Sequence, residues 1–411
     1  MAQSKDQVSK SFLSSRKYIL FWVSSLFSNI GTWMQQTAQP WIVLSLSNSP
    51  FLVGLDSFAM NAPGLIFTLF GGLLADRYDR RKIVLFFQTI QFLCVITMVV
   101  LLVLGWLKVW MIIIISFLVG LTDSLSMPSF QSVIPSLVNP KEIPRAVSLN
   151  STQFNLSRVL GPAIAGIVIV RFGAVACFSA NAISYVPFFL SLYFIYPRRR
   201  DKIKKESIEG QPIAQLNEFK KLLLNPLIRL PLLTTFVTSM FCVPLVSFCS
   251  VLIKNVFHSE VSNFGGAMAA FGLGGLIGAA TTFISLPESL KRNKLAAFTA
   301  IFLGCLVVAV ALNHSLDLLF VLLVFAGTAL TITNISVNTF LQENATNNIR
   351  GRIASMFQLA LTGGISVGAL LTGFTVSKLN ISTAFLINGS VAIVLQVWLL
   401  WRQTKKSSSQ A

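Results

Sequence analysis

Gly71-Gly72-Leu73-Leu74-Ala75-Asp76-Arg77-Tyr78-Asp79-Arg80-Arg81-Lys82 separates two long apolar runs, residues 51–75 and 83–107. A helix needs about 20 largely apolar residues to cross a bilayer, and each flanking run is long enough. Reading outward, ten more such runs follow the same pattern: 18–46, 109–128, 146–170, 173–196, 227–253, 261–286, 295–312, 316–339, 353–377 and 381–401. The chain of 411 residues is 54% hydrophobic and only 11% charged, which excludes a water-soluble protein with a polar surface. The runs carry internal Gly and Pro, as membrane helices tolerate, and they exceed the strands of an outer-membrane barrel in length. Twelve transmembrane helices are expected.

The 32 Lys and Arg residues are placed asymmetrically. The N-terminus, the loops after even-numbered runs and the C-terminus hold 27 of them, while the opposite loops hold Lys108, Arg171, Lys254 and Lys378. Basic residues are retained on the cytoplasmic side, so both termini are expected there. The net charge of +18 is dispersed over all inner loops, and no nucleic-acid partner is expected. The first run continues past Trp33, Gln35 and Gln36 with no small-residue cleavage site, so it is read as a helix rather than a removed signal. The five cysteines lie inside apolar runs without a CxxC pair, and His258 and His314 sit near outer loops, so neither a metal nor another cofactor is expected.

A polar stretch divides the chain. Residues 197–226 hold eight Lys/Arg against four acidic residues, an inward-facing linker that also suits anionic lipid. This gives residues 1–196 and 227–411 as two units of six helices each. Internal matches support a repeat. Arg145, Gly161 and Gly166 correspond to Arg352, Gly368 and Gly373 at an offset of 207, and Gly71-Gly72-Leu73-Leu74 to Gly274-Gly275-Leu276-Ile277 at an offset of 203.

The stretch 71–82 resembles the major facilitator superfamily signature between helices 2 and 3. Asp79 replaces the late glycine of that signature, and this form is similar to exporters like the enterobactin exporter and the macrolide efflux pumps. Ser28–Gln35, Met127-Pro128, Pro144–Val147 and Arg350-Gly351-Arg352 agree. The resemblance implies an all-α integral membrane fold of two pseudo-symmetric six-helix bundles, in the bacterial cytoplasmic (inner) membrane. It also implies a gate at Gly72, Asp76, Arg77, Arg80 and Arg81 that latches the bundles on the cytoplasmic side. Positive-inside anchoring is the competing reading of those charges. Gly161, Pro162 and Gly166 are similar to the G-P-x-x-x-G pattern of antiporting exporters; ordinary small-residue packing is the alternative.

Three ionisable residues lie within the spans: Asp56, Asp123 and Arg158. A charge at a helix centre costs about 2.5–3.5 kcal/mol on insertion scales, so each is expected to pair, meet water or act. Asp123 and Arg158 are read as a pair that a proton arriving at Asp123 breaks, or as a static pair, or as groups solvated near the interface. Asp56, five residues into its span, is placed close to outer water. The family's cavity is lined by helices 1, 4, 7 and 10. Asn29, Trp33 and Gln36 share one face of helix 1, and Thr331, Asn334 and Asn338 one face of helix 10; helix 7 brings Thr235, Thr238 and Ser239. Polar faces also join helices without any ligand.

The expected function is a secondary active exporter of a small, partly apolar molecule, siderophore or drug-like, by proton-coupled antiport. A lysophospholipid or lipid flippase of the same fold is the alternative. A membrane enzyme or receptor lacks the needed constellation, and GxxxxGK[ST] is absent. Expected partners are the substrate, protons and the bilayer, with the chain a monomer.

Overall fold

The structure is a computed structural model and describes residues 16–139, 142–195, 222–284, 289–345 and 349–407. Its backbone is almost entirely helical, since in lipid every N–H and C=O must be satisfied within the chain. The helices are α1 Arg16–Ser47, α2 Pro50–Arg77, α3 Arg80–Val103, α4 Val109–Val133, α5 Ile143–Phe172 and α6 Ala174–Ile195. They continue with α7 Pro226–Phe241, α8 Val261–Ile284, α9 Ser289–Leu312, α10 Leu316–Glu343, α11 Arg350–Lys378 and α12 Ile381–Ser407. Two short helical pieces, Pro244–Ser247 and Cys249–Asn255, prolong α7 beyond a break at Pro244. The linker lies outside the described residues as far as 221.

Among the described residues, eleven helices are long and apolar enough to cross a membrane, one fewer than the twelve apolar runs. The exception is α1, which has the length but also carries Ser24, Ser25, Ser28, Asn29, Thr32, Gln35, Gln36, Thr37 and Gln39. Several of those side chains meet polar groups of other helices: Ser24 Oγ donates to Ser191 Oγ at 2.9 Å, and Asn181 Nδ2 to Gln35 Oε1 at 2.7 Å. The composition of α1 reflects protein neighbours rather than lipid.

Turns follow local chemistry. Asn48 takes φ 51°, ends α1 with its N–H on the Leu44 carbonyl, and is followed by Ser49 and Pro50, which open α2. Gly105 and Gly173 take φ 71° and 78° after α3 and α5. Asp79 is the N-cap of α3, its carboxylate accepting from the amides of Arg81 and Lys82 at 2.9 and 3.2 Å.

Within the first half α1 packs on α5 and α6, α2 on α4, and α3 on α4 and α6. Within the second, α7 packs on α11 and α12, α8 on α10, and α9 on α10 and α12. The two patterns are equivalent under a shift of six helices. Close contacts carry the same symmetry. Gly161 packs against Trp33, and Gly368 against Met240; both members of the pair are 207 residues on. Gly120 packs on the Met60 carbonyl and Gly327 on that of Phe271, which lies 211 residues beyond Met60. The offset in α2 and α8 is therefore 211 rather than 203. Gly274-Gly275 corresponds to Pro63-Gly64 in mid-helix, and residues 71–82 correspond to 282–293, where Lys291 and Arg292 stand for Arg80 and Arg81.

The halves meet through α2 against α11 and α5 against α8. The meeting is one-sided. At the end that carries the α1–α2 turn, a single hydrophobic core runs through both halves and includes Leu44, Val53, Phe248, Leu252, Phe264 and Val376. At the opposite end each half has its own core, around Phe21, Val84 and Phe188 in the first and Ile228, Val337 and Ile353 in the second. Buried apolar surface is the main cohesive term in such packing, so the halves are fused at one end and separate at the other.

Candidate functional site

The closed end is sealed by backbone-close contacts. Gly54 of α2 lies against Ala369 and Gly373 of α11, and Gly166 of α5 against Gly265 and Ala269 of α8; the glycines leave room for main chain. Trp41 stacks on Phe264 with centroids 5.3 Å apart, and Lys254 Nζ donates to Asn48 Oδ1 at 2.7 Å, tying the two halves together. Toward the other end the same helices part. Val159 and Ala163 of α5 reach α8, yet Thr152 and Asn155, earlier on that side, are exposed. Thr68, Phe70 and Leu73 of α2 and Ser355, Gln358 and Leu359 of α11 are exposed as well. The space between the halves opens at the end bearing the α2–α3, α4–α5 and α10–α11 loops.

On α1 the half-exposed positions Trp22, Leu26, Asn29, Trp33, Gln36 and Pro40 recur every three or four residues and form one stripe. Gln35 and Gln39, off that stripe, are buried and hydrogen-bonded. Asn29 also turns toward a cavity of about 30 Å³ with Ser25, Ser28, Gln88, Phe130 and Phe188. On α5, Phe154 and Arg158 stand one turn apart on the side that Gly161 brings against Trp33. Arg158 Cζ lies 5.6 Å from the Trp33 ring centre, and Phe154 meets the same ring edge-on at 6.2 Å. Thr331 lies beside α8, and Asn334 and Asn338 are half-buried on α10.

Asp123 is exposed, and its direction is set by α4 itself. The exposed apolar positions Trp110, Ile114, Phe117 and Leu118 mark the outer face; nine residues beyond Ile114, at 100° per residue, is the opposite side. Asp123 thus borders the space between the halves. Asp123 and Arg158 form no ion pair, which sets aside the two paired readings: among the described residues neither side chain has a hydrogen-bonded or ionic partner, and Arg158 rests on Trp33 instead. Asn29, Gln36, Asn334 and Asn338 likewise have no hydrogen bond to the protein among the described residues. Buried polar groups in proteins are satisfied by protein partners, so this group is distinguished by facing open space.

Asp56 is placed differently from the reading based on its distance to the span end. It is 5% exposed, and it accepts from Gln39 Nε2 at 2.7 Å and Ser116 Oγ at 2.6 Å, joining α1, α2 and α4. Gln39 Nε2 also donates to Ser116 Oγ at 2.8 Å. No cation completes the cluster among the described residues. Gln39 and Ser116 were legible only as polar residues inside apolar runs, and Phe154 and Gly265 gave no signal at all.

One further expectation is not met. Thr235 and Thr238 are 1% exposed and turn into the second half: Thr235 donates to the Pro231 carbonyl, and Thr238 accepts from Gln396 of α12 at 3.0 Å. Ser239, also 1% exposed, packs beside Gly364. The half-exposed side of α7 is instead Leu233, Phe236 and Met240. In the 71–82 stretch the close approach belongs to Gly71, against Ser124 and Leu125, while Gly72 borders open space. Arg81 donates to the Tyr193 carbonyl at 2.8 Å and lies over its ring, and Arg80 reaches the Ala75 carbonyl; both contacts stay within the first half. Arg77 is exposed, and the side chain of Asp76 lies outside the described residues.

Comparison with known proteins accords with this architecture. Residues 9–410 match the family described as transmembrane secretion effector, of the major facilitator superfamily. The chain is 25% identical over 396 residues to the staphyloferrin A transporter of Staphylococcus aureus, covering 94% of this chain and 96% of that protein. It is 23% identical over 367 residues to the enterobactin exporter EntS of Salmonella typhimurium, covering 88% and 86%. The crystal structure of the nucleoside transporter NupG superposes with a TM-score of 0.72 at 13% identity, over 95% of this chain and 99% of that one, which speaks to the fold. A helical membrane protein in two matching halves, open between them at one end, with the family's profile along nearly its whole length, is not an enzyme: the chain belongs to the transmembrane secretion effector family and is a multi-pass efflux transporter of the major facilitator superfamily.

Proposed function

We propose that the protein exports a small, partly apolar molecule, siderophore or drug-like, from the bacterial cytoplasm by alternating access in exchange for protons. The observation that carries this reading is the division of the core: one hydrophobic core shared by both halves at the closed end, and two separate cores at the open end. Rocking the halves about the middle exchanges which end is fused, as repeat-built transporters do. The basic loops set the open end toward the cytoplasm, so the structure represents the inward-open state and both termini are cytoplasmic. In that state the contacts described for Arg80 and Arg81, to the Ala75 and Tyr193 carbonyls, lie within the first half. Latching by Asp76, Arg77, Arg80 and Arg81 belongs to the outward-open state, where a charge contact made in only one state shifts the equilibrium.

Two carboxylates suit proton coupling. Asp123 meets the open space, where it exchanges protons with the cytoplasmic side. Asp56 lies two residues from the Gly54 seal, among neutral donors only, so outward opening hydrates it. One charge moved through 100 mV supplies about 2.3 kcal/mol, enough for uphill export without ATP. The test is transport in proteoliposomes with an imposed pH gradient, using candidate siderophores, macrolides and lysolipids. Uphill movement of a siderophore or macrolide that stops when the gradient is dissipated supports the reading. Movement indifferent to the gradient removes antiport, and movement of lysolipid alone makes the protein a flippase.

A further inference from the structure

We infer that Arg158, Trp33 and Phe154 form a subsite for an organic anion, a carboxylate carried on a flat apolar body. The inference rests on the export reading for taking the space between the halves as the ligand's path.

A mid-span arginine is costly and is ordinarily held by a carboxylate or by backbone carbonyls. Here it has neither among the described residues. What holds the guanidinium is geometry: Gly161 brings α5 against Trp33, and one turn earlier the Arg158 side chain lies over the indole face. Cation–π contact stabilises the group without using its N–H donors. Those donors, in the fixed fork that matches a carboxylate bidentately, meet no acceptor among the described residues, and the side chain is half-exposed. Phe154 extends the aromatic wall by one turn.

The opposite sign of ligand fits less well. Asp123 faces the same space, but one turn away along α4 stand Val119, Gly120, Ser126 and Met127, with no ring to hold a flat apolar cation. The second half contributes no charge to the middle of any span; its wall is Thr331, Asn334 and Asn338, neutral groups that accommodate the polar remainder of either ligand. Cation and rings therefore coincide on one wall, and the anionic group of the ligand is the missing partner. A proton on Asp123 removes a negative charge that faces the same space, which favours the anion's entry.

The test uses two fluorescent probes of one shape, dansylglycine and dansylglycinamide, with binding to the full chain in detergent read by energy transfer from tryptophan. The wild type is expected to bind the acid about tenfold tighter than the amide. Arg158→Gln should abolish that preference while leaving amide affinity within twofold, Arg158→Lys should keep part of it, and Trp33→Ala should weaken both probes by a similar factor. Absence of a preference in the wild type overturns the subsite, as does a loss of both probes alike in Arg158→Gln with Arg158→Lys no better, the mark of a structural arginine. No gradient is present in this assay, so a failure here leaves export standing, and a failure of gradient-driven transport leaves the subsite standing.

Discussion

At Asp79 the carboxylate accepts from two amides at the start of α3, a role that glycine cannot perform. Asp79→Ala is expected to cost about 1 kcal/mol, typical of a lost N-cap, seen as a small drop in melting temperature in detergent, whereas Asp79→Ser should restore most of it. Asp56 makes a stronger demand, because its two donors come from different helices. Asp56→Asn preserves its shape and one acceptor, so the folded protein should persist while the pH dependence of transport disappears; pH dependence retained by that variant would make Asp56 purely structural. The same comparison for Asp123→Asn decides its share: transport and pH profile both unchanged would remove it from coupling. Sequence position alone misplaced Asp56, since five residues from a span end says nothing about the neighbours that cover it. It found Arg158 and Trp33 as unusual residues but not their contact, which depends on Gly161 bringing α5 to α1.

The helices show which sequence signals survive packing. On α1 the periodicity of Asn29, Trp33 and Gln36 coincides with a half-exposed stripe. On α7 the same logic failed: Thr235 and Thr238 are both buried, Thr238 against Gln396 of α12, and a helical repeat carries no information about which side a neighbour will occupy. The apparent repeat at Gly274 failed for a related reason. A glycine pair recurs wherever helices touch, and only the contact partners, Met60 for Gly120 and Phe271 for Gly327, fix the register at 211. The α5–α8 seam gives a prediction at this scale. Gly166 lies against the main chain of α8, so Gly166→Leu should wedge the closed end apart. Export should fall at least tenfold, and a cysteine placed at Trp41 should become reactive to a membrane-impermeant thiol reagent added outside. Unchanged labelling would show that the seam yields without opening.

For the whole molecule, composition and basic-residue asymmetry were enough to read a polytopic helical protein, and the 71–82 motif was enough to read the family. Which end is closed was not legible, because that depends on a long-range core joining residues as far apart as Leu44 and Val376. The central claim is that this core is broken and re-formed at the other end during each cycle. The direct measurement is the distance between spin labels at Leu73 of α2 and Leu359 of α11, both exposed at the open end, in proteoliposomes with and without an inward proton gradient. A second label pair, at Ser45 of α1 and Glu260 before α8, reports the closed end. The Leu73–Leu359 distance is expected to shorten as the Ser45–Glu260 distance lengthens, the two moving together. Distances that stay fixed, or that change at one end without the other, would contradict it.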